Sequence, residues 1–323
     1  MPNAIQVHEP GGPDALRWEA VEVGAPGPGE VRIAQRAAGL NYIDVYHRTG
    51  AYPLPLPFIP GVEGAGVVEA VGDGVNGFAI GDRIAYAGPV GGYAEARLIA
   101  ADRLVRLPDT FSFDQAAAMM LQGMTARMLL RSVYAVKAGD TILVHAAAGG
   151  VGLILCQWAA ALGARVLGTV SSDAKADLAR AHGCHHPIVY TRTDFVAEVL
   201  RICGGDKLPV VYDSVGKDTF LRSFDCLAPR GLMVSFGQSS GAIEPFPPAI
   251  LAQKGSLYLT RPTLFTYIAD PAELQASAAE LFEVVGSGQV KIEIRQRFAL
   301  AEAAEAHRAL EARRTTGSTI LSV

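Results

Sequence analysis

The chain has 323 residues. Two domains are expected, because a single hydrophobic core rarely keeps growing at that length. Half of the residues are hydrophobic and 19% are charged, which is typical of a globular protein and excludes a disordered one. The formal net charge of -4, without a basic patch, makes nucleic acid an unexpected partner.

The first third of the chain is predicted to be rich in β-strands and to form a small irregular barrel. Residues 30–34 alternate between apolar and polar, and the turn 26–29 precedes them. Prolines between 53 and 60 exclude regular structure there. From Asp114 to Val133 the composition changes to Ala, Met and Leu, which predicts a long helix that Gly123 interrupts.

Strand and helix patterns then alternate, which predicts a parallel sheet covered by helices on both faces. The predicted strands are 141–145, 165–170, 188–190, 210–213 and 232–236. The predicted helices are 151–162, 173–181, 194–203, 219–227, 272–285 and 300–313. A final strand at 318–322 can rejoin the first domain, with the βα unit inserted in the middle.

Two features bear on the location of the protein. Residues 142–163 are apolar enough to be mistaken for a membrane span, but glycines at the middle favour a strand, a turn and a buried helix. The four cysteines, Cys156, Cys184, Cys203 and Cys226, form no CxxC motif. Free thiols in a reducing cytoplasm are therefore expected, and no membrane association.

The strongest local motif is His145-Ala-Ala-Ala-Gly-Gly-Val-Gly152, between a predicted strand and a predicted helix. Glycines let the backbone approach a pyrophosphate, and the helix N-terminus supplies N–H donors and a favourable dipole. Ala147 takes the place of the first glycine of the usual fingerprint. The order of strand, loop, helix and strand nevertheless predicts a dinucleotide site. The alternative is a tight turn that serves packing alone.

The residues after the second strand of this unit favour NADPH over NADH. Ser171, Ser172 and Lys175 offer hydroxyls and a cation, which suit a 2′-phosphate. Asp173 could instead bind the ribose hydroxyls of NAD if it points inward. A purely structural reading is that Ser172 or Asp173 caps the next helix and that Lys175 is solvated.

Two further patterns suggest other chemistry. The segment His182-Gly-Cys-His-His186 contains metal-ligand residue types, but a turn at a helix end accounts for it better. Residues 237–241, Gly-Gln-Ser-Ser-Gly, fit the nucleophile elbow of hydrolases, which requires a helix directly after Ser239. Prolines at 245, 247 and 248 exclude such a helix.

The whole chain resembles the zinc-independent quinone oxidoreductases, relatives of zeta-crystallin in the medium-chain dehydrogenase/reductase superfamily. The resemblance rests on residues 8–13, 39–46, 60–66, 146–152, 212–216 and 234–237. It implies a GroES-like β-barrel domain (1–125 and 265–323), a Rossmann domain with a doubly wound parallel sheet that binds NADPH (126–264), and a homodimer. The zinc-dependent branch has Cys where Asn41 stands and His where Val62 stands, so no metal is expected.

The resemblance also implies a set of site residues. The residues bordering the nicotinamide would be Tyr42, Ile43, Asp44, Val45 and Tyr46. The residues meeting the pyrophosphate would be Gly149, Gly150 and Val151. Those near the adenosine and its phosphate would be Ser171, Ser172, Lys175, Tyr190 and Arg313. The rest of the groove would be lined by Ser214, Phe236, Gly237, Gln238, Ser239, Pro262, Thr263 and Leu264.

The predicted reaction is hydride transfer to a quinone, which needs proximity and a dry site more than acid–base groups. Asn41 could donate a hydrogen bond to the acceptor or to the cofactor ribose. Tyr46 and Tyr52 could stack on a flat ring, or pack in the core. Asp44 either takes part in the chemistry or organises the backbone. Met128 stands where relatives have an aromatic residue near the substrate.

Two alternatives remain at this stage. The same chemistry would reduce the activated C=C bond of an α,β-unsaturated aldehyde or ketone. A non-enzymatic NADPH-binding protein with a structural or RNA-binding role is the alternative of another class.

Overall fold

The computed structural model describes every residue from Met1 to Val323. The chain forms two compact units. The first comprises Met1–Met124, Ile268–Phe282 and Ile292–Val323, and the second comprises Thr125–Tyr267 and Glu283–Lys291. The domain limits implied by the family resemblance stay a prediction. The compact units additionally group Glu283–Lys291 with the second unit.

Fifteen strands and eleven α-helices make up the chain. The strands are β1 (Asn3–Gln6), β2 (Arg17–Ala20), β3 (Glu30–Leu40), β4 (Glu63–Val71), β5 (Arg83–Ala87), β6 (Ala96–Ala100), β7 (Val105–Arg106), β8 (Thr141–Val144), β9 (Arg165–Val170), β10 (His186–Val189), β11 (Leu208–Asp213), β12 (Leu227–Ser235), β13 (Tyr258–Thr260), β14 (Ile294–Ala299) and β15 (Ser318–Ser322). The helices are α1 (Tyr42–Thr49), α2 (Phe113–Ala117), α3 (Met120–Arg127), α4 (Gly150–Ala161), α5 (Asp173–Ala181), α6 (Phe195–Ile202), α7 (Phe220–Ser223), α8 (Ala249–Gln253), α9 (Leu264–Tyr267), α10 (Pro271–Gly286) and α11 (Ala303–Glu311).

The first unit is built on a seven-stranded sheet with the order β14-β15-β3-β4-β5-β7, in which β6 also pairs with β3. Val31 and Ile33 of β3 alternate with more exposed residues and pack against Val68 and Ile84 in one apolar cluster. The tail strand β15 pairs antiparallel with β3. The prediction that the tail rejoins the first unit is therefore confirmed.

The second unit contains a six-stranded parallel sheet with the order β10-β9-β8-β11-β12-β13. In chain order the strands run 3-2-1-4-5-6, the doubly wound arrangement. Leu143, Val211 and Met233 of three neighbouring strands are fully buried, as expected for a sheet covered on both faces. The predicted α/β class with a parallel sheet is confirmed.

The prediction of one long helix over 114–133 is wrong. The segment breaks into α2, α3 and a π-helical turn at Met128–Val133. The break has a specific cause. The Glu63 carboxylate accepts the Leu121 N–H at 2.8 Å, which in a continuous helix would bond to the carbonyl of residue 117. A buried carboxylate from a distant strand therefore starts a new helix.

The prediction of a helix over 219–227 is also wrong in extent. Only α7 is α-helical, and residues Phe224–Cys226 form a 3-10 turn before β12 begins at Leu227. Phe220, Phe224 and Cys226 of this short segment are buried in one cluster, so packing rather than helix length fixes it.

Residues 142–163 fold as β8, a turn and α4, as predicted. No helix of the chain combines the length and the apolar character that crossing a membrane requires. All four cysteines are free thiols, and three of them are buried.

Candidate cofactor and acceptor site

The loops that follow the parallel strands of the second unit lie at one edge of its sheet, because parallel strands end on the same side. Open α/β sheets bind ligands at this edge, where the strand order reverses. The reversal lies between β8 and β11. Each cofactor residue predicted in this unit follows one of these strands.

The turn between β8 and α4 has the geometry of an anion cradle. Helix α4 begins at Gly150 after Gly149, and no side chain caps it, so its first N–H groups face the loop. A Cβ atom on Gly152 would lie 2.3 Å from the Ala146 carbonyl oxygen, so only glycine permits this close packing. Ala146 itself takes a left-handed conformation, with φ of 55°. The turn fits a pyrophosphate.

The end of β9 offers hydroxyls with the acidic alternative neutralised. Ser172 caps α5 by accepting the Lys175 N–H at 3.3 Å, and Ser171 precedes it. Asp173 is exposed and accepts two hydrogen bonds from Arg192, at 2.6 and 2.5 Å. The Arg192 guanidinium lowers the pKa of Asp173. Tyr190 follows β10 and is exposed. The alternative in which Asp173 serves NAD therefore loses its support.

The loops after β11, β12 and β13 are joined by hydrogen bonds. The N–H of Ser239 donates to the Ser214 carbonyl at 3.1 Å. A Cβ atom on Gly237 would lie 2.7 Å from the same oxygen. Arg261, just after β13, donates to Ser235 and to the Gln238 side-chain oxygen, both at 3.0 Å. Phe236 adds a backbone bond to Asp213 at 2.8 Å. The remaining predicted groove residues of this edge are Pro262, Thr263 and Leu264.

In the first unit, helix α1 carries the predicted nicotinamide residues. Tyr42 and Tyr46 are half-buried, and their rings lie 5.6 Å apart. Tyr52 continues the row, 5.0 Å from the Tyr46 ring. Val45 is buried, whereas Ile43 is half-buried. The three tilted rings form an aromatic surface of the first unit that suits a flat molecule.

A buried polar network holds α1 in place. Asp44 accepts the Asn41 N–H at 2.8 Å and the Tyr93 hydroxyl at 2.9 Å. Arg48 donates to His307 Nδ1 at 3.2 Å, so the His307 proton sits on Nε2, which faces the Tyr93 oxygen at 3.4 Å. Burial lowers the pKa of His307 to about 3 and raises that of Asp44 to about 7. Asp44 is thus placed to organise the start of α1.

The end of the network reaches the predicted phosphate residue of this unit. Arg48 forms two hydrogen bonds with Glu311, at 2.9 and 2.8 Å. Burial and the Glu311 carboxylate raise the pKa of Tyr42, whereas the charge of Arg313, two residues after Glu311, lowers it. The first unit therefore brings Arg313 close to α1.

The side chain of Asn41 is held at both ends, which the sequence did not reveal. Its Nδ2 donates to Glu63 at 2.7 Å, and its Oδ1 accepts from Gln122 Nε2 at 3.1 Å. Gln122 Oε1 in turn accepts from the Ser318 hydroxyl at 2.7 Å. Glu63 is fully buried, and burial raises its pKa to about 8. Glu63 belongs to the segment 60–66 that carries the family resemblance, but only the fold shows which residue it holds.

The other sequence candidates have structural surroundings. Met128 is buried in the π-helical turn of the second unit. His182, His185 and His186 each form a hydrogen bond with a different partner. No group of three or more His, Cys, Asp or Glu side chains is arranged to bind a metal ion. No helix follows Ser239 before α8, so the elbow geometry of a hydrolase is missing.

Comparison with known proteins matches this architecture. The profile of the family described as "Alcohol dehydrogenase GroES-like domain" matches residues 27–109, and that of "Zinc-binding dehydrogenase" matches residues 150–282. A quinone oxidoreductase of Pseudomonas aeruginosa is 56% identical over 323 residues, which is 99% of each chain. The chain belongs to the quinone oxidoreductase family of the medium-chain dehydrogenase/reductase superfamily.

Two further relatives have names that state a cofactor or a substrate. The crystal structure of Escherichia coli quinone oxidoreductase complexed with NADPH has a TM-score of 0.98 and 46% identity, over 99% of this chain and 100% of that chain. A 2-haloacrylate reductase of a Burkholderia species is 44% identical over 330 residues, 99% of each chain. The predicted family and the GroES-like and Rossmann fold class are confirmed.

Proposed function

We propose that this protein is an NADPH-dependent quinone reductase that works without a metal. Two neighbouring features carry the proposal. No side chain caps the start of helix α4 after Gly149, so its N–H groups are available to an anion. The residues after β9 supply serine hydroxyls, and the charge of Asp173 there is neutralised by Arg192. A dinucleotide pyrophosphate and a 2′-phosphate match these groups. The identity of 56% to a quinone oxidoreductase and the NADPH complex of the E. coli relative support it.

Each group has a defined task in this proposal. Gly149, Gly150 and Val151 hold the pyrophosphate, whereas Lys175 and Tyr190 contact the adenosine phosphate. When bound, NADPH supplies a hydride from its nicotinamide to the acceptor. Tyr46 and Tyr52 orient the quinone ring, and no metal ligation is required of Asn41.

Protonation completes the reaction. Hydride addition leaves the quinone as a hydroquinone anion, and one proton from water makes the neutral hydroquinone. The Asn41 amide is suited to stabilise the oxygen on which the charge develops, since a preorganised donor acts most strongly in a site that excludes water.

The test is NADPH oxidation with 1,4-benzoquinone, followed at the absorbance of the reduced nicotinamide, against NADH under the same conditions. Quinone-dependent turnover that favours NADPH is expected. Tight NADPH binding without turnover with any quinone would refute the reductase and favour a binding protein.

A second acceptor class has a specific observation in its favour, the 44% identity to a 2-haloacrylate reductase. The same hydride chemistry reduces a C=C bond activated by a carbonyl or carboxyl group. The ratio of kcat/KM for 1,4-benzoquinone to that for an α,β-unsaturated ketone or 2-haloacrylate decides between the two classes.

The exposed edge of the second sheet supports a homodimer as part of the proposal. Tyr258 and Leu259 of the edge strand β13 are 61% and 37% exposed, which is unusual for large apolar side chains on an open edge. A second copy of the chain would cover this edge. Tyr258→Asp should shift the protein to monomer in sedimentation experiments, and an unchanged mass would refute this edge as the interface. The free thiols support the cytoplasm as the location.

A further inference from the structure

We propose that Glu63 is a positioning residue that fixes the direction of the Asn41 amide, so that Asn41 donates a hydrogen bond to the acceptor oxygen during reduction. The inference rests on the proposed function, because it needs an acceptor that gains negative charge. It adds a residue that acts on the reaction only through Asn41.

The direction of an asparagine amide is decided by its partners, because its oxygen and nitrogen are alike in shape. Burial raises the pKa of Glu63 to about 8, while the hydrogen bonds from Asn41 and from the Leu121 N–H lower it; above that pKa the carboxylate is ionised and can only accept hydrogen bonds. Its Oε1 accepts the Leu121 N–H at 2.8 Å, and its Oε2 lies 2.7 Å from Asn41 Nδ2. A Cβ atom on Gly39 would lie 2.4 Å from Oε2, so the carboxylate packs closely against the backbone. Asn41 must therefore turn its nitrogen towards Glu63.

The other end of the amide agrees with this direction. Gln122 Nε2 donates to Asn41 Oδ1 at 3.1 Å, and the Ser318 hydroxyl donates to Gln122 Oε1 at 2.7 Å. The hydrogen bonds thus run one way, from Ser318 through Gln122 and Asn41 to Glu63. All four side chains are buried, so water does not compete for these bonds.

This direction determines what Asn41 can offer a ligand. The amide nitrogen carries two hydrogens, and Glu63 takes one of them. The other hydrogen is available to an oxygen of the acceptor. A reversed amide would present a lone pair of Oδ1 in its place, which would repel the charge that develops on that oxygen. Loss of one such donor costs on the order of a hundredfold or more in kcat.

Glu63→Gln reverses the direction of this series of hydrogen bonds with little change in the shape of the side chain. The new amide must use its oxygen to accept the Leu121 N–H, so its nitrogen faces Asn41 and can only donate. Asn41 then turns its oxygen to that position and its nitrogen to Gln122. Gln122 turns as well and donates to Ser318, whose hydroxyl donates to the Ala118 carbonyl at 3.0 Å. The number of hydrogen bonds is kept, and only their direction changes.

The experiment measures quinone-dependent kcat, the dissociation constant of NADPH and the melting temperature of each variant at about pH 9, where Glu63 is ionised. For Glu63→Gln we expect kcat to fall about 100-fold while NADPH affinity is retained. Glu69→Gln is the matched control, because Glu69 lies on the same strand, is exposed and pairs with Arg32. In an Asn41→Ala background, Glu63→Gln should produce no further fall.

Two results would overturn the inference in an active wild type: an unchanged kcat in Glu63→Gln, or effects of Glu63→Gln and Asn41→Ala that multiply. If Glu63→Gln does not fold, the direction of the Asn41 amide in the wild type decides the question by neutron diffraction.

Neutron diffraction from perdeuterated crystals separates this inference from the proposed function. In crystals kept above the pKa of Glu63, it locates the deuterons of Asn41 without any turnover. Deuterons directed at Glu63 in the wild type and at Gln122 in Glu63→Gln are expected, and the opposite wild-type direction would overturn the inference. A wild type that reduces no quinone would instead refute the proposed function.

Discussion

Replacing Gly152 by alanine tests the cofactor loop most directly. The added Cβ would lie 2.3 Å from the Ala146 carbonyl oxygen and 2.9 Å from atoms of Ala147. Protein interiors do not hold such contacts, so helix α4 and the loop would have to separate by roughly 0.7 Å or more. Overpacking of this kind costs about 1–3 kcal/mol of stability.

The same displacement would move the first N–H groups of α4 away from the proposed pyrophosphate position. The loss of one hydrogen bond to a charged group costs about 1.5–3 kcal/mol, which corresponds to a Kd for NADPH raised roughly 10- to 100-fold. Nucleotide fluorescence titration measures this change, and thermal unfolding measures the stability. Gly24→Ala is the control, because nothing lies within 4 Å of a Cβ atom there. A Kd for NADPH within twofold of wild type would refute the assignment of this loop.

Three further predictions concern specificity, pH and metal. Lys175→Ala should raise the KM for NADPH about tenfold and leave that for NADH unchanged, because only NADPH has the 2′-phosphate; an unchanged preference in steady-state kinetics would contradict the phosphate role. Burial raises the pKa of Glu63 from 4.5 to about 8, so the folded state holds this proton more tightly and stability should fall as the pH rises through that window. In Glu63→Gln, the melting temperature should therefore fall less steeply with pH than in the wild type. His307 contributes with the opposite sign, but equally in both proteins, so it cancels in the comparison. Equal pH slopes of the melting temperature would contradict the raised pKa of Glu63. Dialysis against EDTA should leave the quinone reductase rate unchanged, because Asn41 and Val62 replace the metal ligands of the zinc-dependent branch; a rate that zinc restores would contradict a metal-free reaction.

Local patterns were sufficient for the elements whose signals lie within their own sequence. Strand β9 and helix α5 begin and end where the sequence predicts, because a continuous apolar run and a serine cap define them. Strand β15 was predicted within the same bounds. The loop after β8 was predicted from its glycines together with the order of strand, loop, helix and second strand around them.

The failures come from contacts between residues far apart in the chain. The helix predicted over 114–133 breaks because the Glu63 carboxylate takes the Leu121 N–H, and no pattern near residue 121 announces a partner on β4. The roles of Glu63 and Gln122 beside Asn41 were missed for the same reason. A single sequence does not show that a carboxylate is buried without a neighbouring cation. Such groups nevertheless occur often at functional sites.

The pairing of β15 with β3 has a consequence for biosynthesis. Strand β3 emerges from the ribosome early, but its neighbour at that edge is translated only after the whole second unit. Until β15 is made, the N–H and C=O groups of β3 that later bond to it remain unpaired. Such an open strand edge can pair with a strand of another chain and aggregate. We therefore expect the nascent chain to need chaperones mainly between the synthesis of β3 and that of β15. Removing residues 318–322 should leave the edge of β3 unpaired in the finished protein.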